Sequence, residues 1–166
     1  MRTLLVIRHA KSSWDSINTP DIERPLNDRG KRDAPAMAKK VLKAGIGIDR
    51  FVSSPARRAR HTAELFAREF KVKESDIVIL NELYHAQPAA FHQVISGLDD
   101  EDRTVAIFSH NPGITTFVNS LSSVRLDNMP TCAVFAVKSD SPKWSEFFHA
   151  TREFLFFDYP KSATAD

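Results

Sequence analysis

Residues 4–10 read LLVIRHA, four apolar side chains followed at once by an arginine and a histidine. The run TLLVIR (3–8) has the β-branched and leucine content of a buried strand. A buried strand gains nothing from a cation and an imidazole at its tip. Arg8 and His9 therefore have to be explained by what the chain brings to that end of the strand.

Working outward, the polar loop KSSWDSINTPDIERP (11–25) is followed by a helical pattern over residues 27–45. Asn27 and Asp28 are N-cap candidates, Ala34, Met37, Ala38, Val41 and Leu42 mark an apolar face, and Gly45 is a stop signal. Pro35 inside this span predicts a kink or a late start. DRFVS (49–53) reads as a second strand and SPARRARHTAELFAREF (54–70) as a helix, with Ser54 as N-cap and Pro55 at the first helical position. DIVIL (76–80) is a third strand and PAAFHQVISGL (88–98) the helix after it. RTVAIFS (103–109) is a fourth strand, a helix opens after HNPG, and CAVFAV (132–137) and EFLFF (153–157) are later strands joined around Trp144. This alternation predicts an α/β fold: a three-layer α/β/α sandwich with a mostly parallel central sheet.

Length and composition set the frame. A chain of 166 residues is expected to form one domain, placed at 1–160, with KSATAD (161–166) as a frayed, flexible tail. It is long enough to bury a core without a disulfide or metal staple. With 42% hydrophobic and 27% charged residues the composition is ordinary, and a net charge of +2 argues for neither nucleic acid nor a membrane surface as partner. The lone cysteine, Cys132, lies in an apolar run and is expected to be a buried hydrophobe in a reducing compartment. No segment approaches the roughly 18 apolar residues of a membrane span, and the first ten residues lack the pattern of a signal peptide. A cytoplasmic location is expected.

Ligands of such sheets bind beyond the carboxyl ends of the strands. Strand one ends in Arg8-His9, and strand two in Ser53-Ser54 with Arg57 and Arg58 just beyond. Strand three ends in Asn81-Glu82 with His85 close behind, and strand four in Ser109-His110. Arginines and histidines converging on one rim make an anion pocket, because guanidinium forks match phosphate geometry. Neither a phosphate-binding G-x-x-x-x-G-K-[ST] loop, nor H-E-x-x-H, nor paired cysteines, nor a G-x-S-x-G elbow is present. What remains is a phosphate pocket containing a histidine able to act as a nucleophile. A metal held by His9 and His110 is the weaker alternative.

RHAKSSWD (8–15), SSPARRARHTA (53–63), LNELYHA (80–86) and SHNPG (109–113), in this order, resemble the histidine phosphatase superfamily. Within it the chain is similar to the small SixA-type phosphohistidine phosphatases. The resemblance implies a phosphoglycerate mutase-like fold and metal-independent dephosphorylation through a covalent phosphohistidine, with no cofactor. It implies His9 as nucleophile and Arg8, Arg58 and His110 as the cradle for the phosphoryl oxygens. Ser12 occupies a first-loop position expected to support the loop or bind phosphate, and Asp15 stands where the family has asparagine. Glu82 is the candidate general acid or arginine partner, with His85 as an outside candidate for that role. Arg57 and His85 are rim residues expected near substrate. The short connection NELYHAQ (81–87) leaves little to cover the pocket, which favours a phosphorylated histidine on a protein as substrate and inorganic phosphate as product. A phosphatase for small phosphomonoesters and a non-enzymatic phospho-ligand binder are the other readings. Trp14 and Tyr84 on the rim loops are candidates for partner contact or loop packing.

Overall fold

β1 spans Arg2–Arg8 in the computed structural model, which describes residues 1–161. The expected tail beyond Lys161 lies outside the described residues. Strand alternation sends Leu5 and Ile7 to one core and Leu4 and Val6 to the other, all four fully buried. The other strands are β2 (Arg50–Ser53), β3 (Val78–Ile79), β4 (Thr104–Ser109), β5 (Val134–Ser139) and β6 (Arg152–Asp158). They form one sheet in the order β3-β2-β4-β1-β5-β6. β3, β2, β4 and β1 pair in parallel, while β5 is antiparallel to both β1 and β6, so β5 alone is reversed.

Helices cover both faces. α1 (Asp28–Lys43) and α2 (Arg57–Glu69) pack on the Leu5 and Ile7 side; α3 (Pro88–Ser96) and α4 (Gly113–Val118) pack on the Leu4 and Val6 side. The α/β layering expected from the sequence is therefore the observed one. α1 is capped by Asn27, whose side chain accepts from the Gly30 N–H at 2.9 Å. It runs through Pro35 from a start at Asp28, so Pro35 does not delay the helix. Its end is a Schellman turn: Gly45 adopts φ +81°, and the amides of Gly45 and Ile46 donate to the carbonyls of Leu42 and Val41. Leu42, expected in the apolar face, is 39% exposed.

The boundaries nearest the site differ from expectation for local reasons. α2 begins at Arg57 with Ala56 as cap, because Ala56 is still extended (φ −58°, ψ 134°), although the Ser54 hydroxyl accepts from the Ala56 N–H. β3 is a two-residue edge strand; the chain then enters a 3-10 turn at Asn81–Leu83 that buries Leu83 completely. β5 starts two residues late because Cys132 adopts φ +62° and gives its N–H to the carbonyls of Arg8 and His9, closing the end of β1. The Cys132 thiol is fully buried and burial pushes its pKa up, so it packs as the hydrophobe expected.

Candidate active site

Sheet register builds the centre of the site. β1 pairs Arg8 with Ser109 of β4, so the next residues, His9 and His110, leave adjacent strands together. Their ring centroids are 5.2 Å apart and both side chains are buried. The His9 Nδ1 atom lies 2.8 Å from the carbonyl oxygen of Ala10. A carbonyl only accepts, so Nδ1 carries the proton and Nε2 keeps its lone pair. Burial first, then His110, Arg8 and Arg58, hold His9 well below the usual imidazole range despite the Ala10 bond, which keeps the ring neutral.

The backbone around His9 is tied to the arginine helix by one hydroxyl. Thr62 Oγ1 accepts from the Ala10 N–H at 2.9 Å and donates to the Arg58 carbonyl at 2.7 Å. Arg58 itself is buried at the start of α2, while its terminal nitrogens reach the Asp21 backbone oxygen at 2.7 Å and the Asp21 carboxylate at 3.1 Å. Arg8 Nη1 donates to the Met129 carbonyl at 2.8 Å.

His110 is fixed from the second strand end. Its Nε2 is 2.7 Å from Ser54 Oγ, which already accepts from the Ala56 N–H. When Ser54 donates its proton into that contact, Nε2 accepts and the His110 proton sits on Nδ1. Burial, then Arg58, lowers His110 to about 3, against a smaller opposing pull from Asp21. The turn bearing His110 is pressed onto the 81–87 connection: a Cβ on Gly113 would meet the Ala86 carbonyl oxygen at 1.8 Å.

These groups border one cavity of about 420 Å³, whose wall includes Arg8, His9, Ser12, Arg58, His85 and His110. Five of the expected residues are thus brought together with His9. Ser12 Oγ accepts from Arg24 Nη1 at 3.1 Å, which makes it a support of the first loop. His85 sits at the mouth with φ +57°, its ring centroid 3.9 Å from that of Tyr84.

Two expected residues are not in the wall. Glu82 is exposed on its 3-10 turn and makes no hydrogen bond to Arg8 or Arg58, because the same turn that buries Leu83 points its neighbour outward. Arg57 is exposed and borders grooves outside the cavity, one helical step round from Arg58. Asp15 is also outside, in the groove with Arg57.

The carboxylate inside the cavity wall is Asp21, which sequence reasoning did not single out. It accepts from Tyr84 Oη at 2.6 Å, Arg24 Nε at 3.1 Å and Arg58 Nη2 at 3.1 Å. Burial pushes its carboxyl up, but Tyr84, Arg58 and Arg24 together outweigh that and hold it at about 2. Arg24, equally unforeseen, is buried and its guanidinium lies 3.4 Å over the Trp14 ring. The available signal was PDIER (20–24): a proline opening a turn, and an acid and a base three residues apart. Among the described residues no three His, Cys, Asp or Glu side chains cluster to hold a metal ion.

The sheet order is that of the phosphoglycerate mutase-like architecture, and the cavity gathers Arg8, His9 and His110 from the ends of parallel strands and Arg58 from the start of α2. The chain belongs to the histidine phosphatase superfamily (branch 1), whose sequence pattern matches residues 4–86. An uncharacterised chloroplastic protein of Arabidopsis thaliana is 28% identical over 155 residues, 89% of this chain and 71% of its own length. The protein histidine phosphatase SixA complexed with tungstate shares the fold at TM-score 0.79 and 22% identity, covering 96% of this chain and 98% of that one. A mycobacterial glucosyl-3-phosphoglycerate phosphatase shares it at TM-score 0.70 and 16% identity, over 96% of this chain and 100% of that one.

Proposed function

We propose that the protein removes phosphoryl groups from phosphohistidine on a protein, through a covalent intermediate on His9. The observation that carries this reading is a set of unpaired nitrogens around one poised lone pair. Among the described residues, Arg8 Nε, Arg58 Nε and His110 Nδ1 are buried without a hydrogen-bond partner, and all three residues border the cavity that His9 lines. Buried donors without acceptors are costly, and a phosphoryl group supplies three acceptor oxygens.

In the first step the lone pair of His9 Nε2 attacks phosphorus. The bond from phosphorus to the substrate's imidazole nitrogen breaks, and that nitrogen takes the electron pair. Its other ring nitrogen already holds a proton, so neutral imidazole departs without a protein acid. Water then attacks the phosphohistidine, the P–Nε2 bond breaks, and inorganic phosphate leaves with a proton released to solvent. Arg8, Arg58 and His110 offset the charge on the equatorial oxygens in both steps.

Nitrogen leaving groups are favoured by the carboxylates. Asp21 is held ionised and is engaged by three donors, and Glu82 stands outside the wall. An alkoxide leaving group would find no carboxylic acid here. Steady-state rates on phosphohistidine-bearing protein, p-nitrophenyl phosphate and an alkyl phosphate test this. The expected order has the phosphohistidine first and the alkyl phosphate last, unchanged by EDTA. An alkyl phosphate turned over as fast as phosphohistidine would sink the reading.

A further inference from the structure

Seven large apolar side chains are exposed among the described residues, and three of them, Trp14, Ile17 and Ile22, fall within nine consecutive positions. That segment forms one bank of the cavity mouth, through Trp14 and Asp21. Its outer side is a groove of about 380 Å³ shared with the start of α2, bordered by Ile22, Arg57, Arg60 and a single carboxylate, Glu23. Ile17 is 98% exposed and borders neither space, so a ligand small enough for the cavity leaves it uncovered. The segment is anchored from beneath. Buried Arg24 donates to Ser12 Oγ, to the Ser13 carbonyl and to Asp21, and its guanidinium stacks on Trp14. Trp14 is thus held at the cavity mouth by Arg24, Ile22 lies beside the exposed Arg57 and Arg60, and Ile17 projects from the same segment.

We propose that this bank is the docking surface for the phosphorylated protein itself: a folded partner whose phosphohistidine is flanked by carboxylates and an apolar patch. The carboxylates meet Arg57 and Arg60, and the patch covers Ile17 and Trp14. This rests on the reading of the cavity as a phosphohistidine site. An exposed apolar cluster next to a catalytic mouth marks a contact surface, and rim cations of this kind chiefly steer encounter. A platform held in place before contact loses little freedom when the partner arrives. Arg57 then has a role in substrate binding outside the phosphate cavity.

The test compares free phosphohistidine with a histidine phosphotransfer domain and a histidine phosphocarrier protein, both phosphorylated with phosphoramidate. Wild type should favour at least one of the proteins over the free amino acid by about tenfold or more in kcat/KM. Ile17→Ser and Arg60→Glu should each raise KM for that protein about tenfold, leaving kcat and all constants for free phosphohistidine unchanged. The Arg60→Glu effect should fade with added salt. Equal rates on protein and amino acid overturn the docking surface, as do variants that damage both substrates alike. So does a self-association seen by sedimentation that Ile17→Ser abolishes, since the patch then serves a second copy of the chain. Failure of wild type on every phosphohistidine, free or protein-bound, overturns the functional reading as well and is distinct from these results.

Discussion

His9 owes its proposed reactivity to surroundings that are in place before substrate arrives. The Ala10 carbonyl sets the tautomer, and burial among Arg8, Arg58 and His110 keeps the ring uncharged. Two expectations follow at this scale. Nitrogen chemical shifts of the imidazoles in the free protein should show His9 and His110 neutral from pH 8 down to about 5, and His110 should become easier to protonate when phosphate binds. A free-protein His110 titrating near 6.5 would contradict the electrostatic account. Ser54→Ala should lower turnover more than substrate binding, because it removes the group that holds the His110 ring in place. Arg8, His9 and His110 were legible as polar residues that strands had no structural reason to carry, and Arg58 through its place in the family's sequence element. Asp21 and Arg24 were not. They lie in an aperiodic loop, and the contacts of Asp21 with Arg58 and Tyr84 are made across the fold. Glu82 shows the converse: its spacing from β3 was right, yet a 3-10 turn that buries Leu83 faces it to solvent.

At the scale of elements, the cavity depends on how closely three strand-end segments approach one another. Thr62 joins the first two, and Gly113 lets the third press against Ala86. Gly113→Ala places a methyl group where the Ala86 carbonyl stands. It should cost about 1–3 kcal/mol, read as a lower melting temperature, and should reduce kcat by displacing His110. Thr62→Val keeps the shape but leaves the buried Ala10 N–H unpaired, at about 1–3 kcal/mol. It should impair turnover as well as stability if the Thr62 bridge aligns His9 with Arg58. Strand and helix existence was readable from periodicity because each face packs against a core. The misplaced ends, at α2, β3 and β5, are where backbone or hydroxyl groups also serve the site. Ser54 looked like a cap and, besides accepting from the Ala56 N–H, is a histidine partner; Cys132 looked like strand and closes the tip of β1.

For the whole molecule, the buried neutral histidines tie stability to pH. Both have folded values below their unfolded value near 6.5. As pH falls through that value the unfolded chain takes up protons first, so stability is lost from about 6.5 toward about 3, the folded value of His110. Asp21 acts in the same direction at lower pH. Its folded value of about 2 lies below the unfolded 3.9, so its contribution is present above about 4 and disappears as pH approaches 2. The melting temperature should therefore fall steadily between pH 6.5 and 4, and His110→Asn should flatten that slope. A melting temperature independent of pH over this range would contradict the burial of neutral imidazoles. Inorganic phosphate should raise the melting temperature, by an amount that grows with the logarithm of its concentration above the dissociation constant.

The central claim is that His9 carries the phosphoryl group, and trapping that intermediate tests it most directly. Protein turning over a labelled phosphohistidine substrate is quenched in alkaline detergent, since phosphorus–nitrogen bonds hydrolyse in acid. The label should appear on His9, vanish on brief acid treatment, and be absent from His9→Asn, whose turnover should fall ~1,000-fold or more. Steady turnover with no label on His9, or a His9→Asn variant that still turns over, would contradict the account.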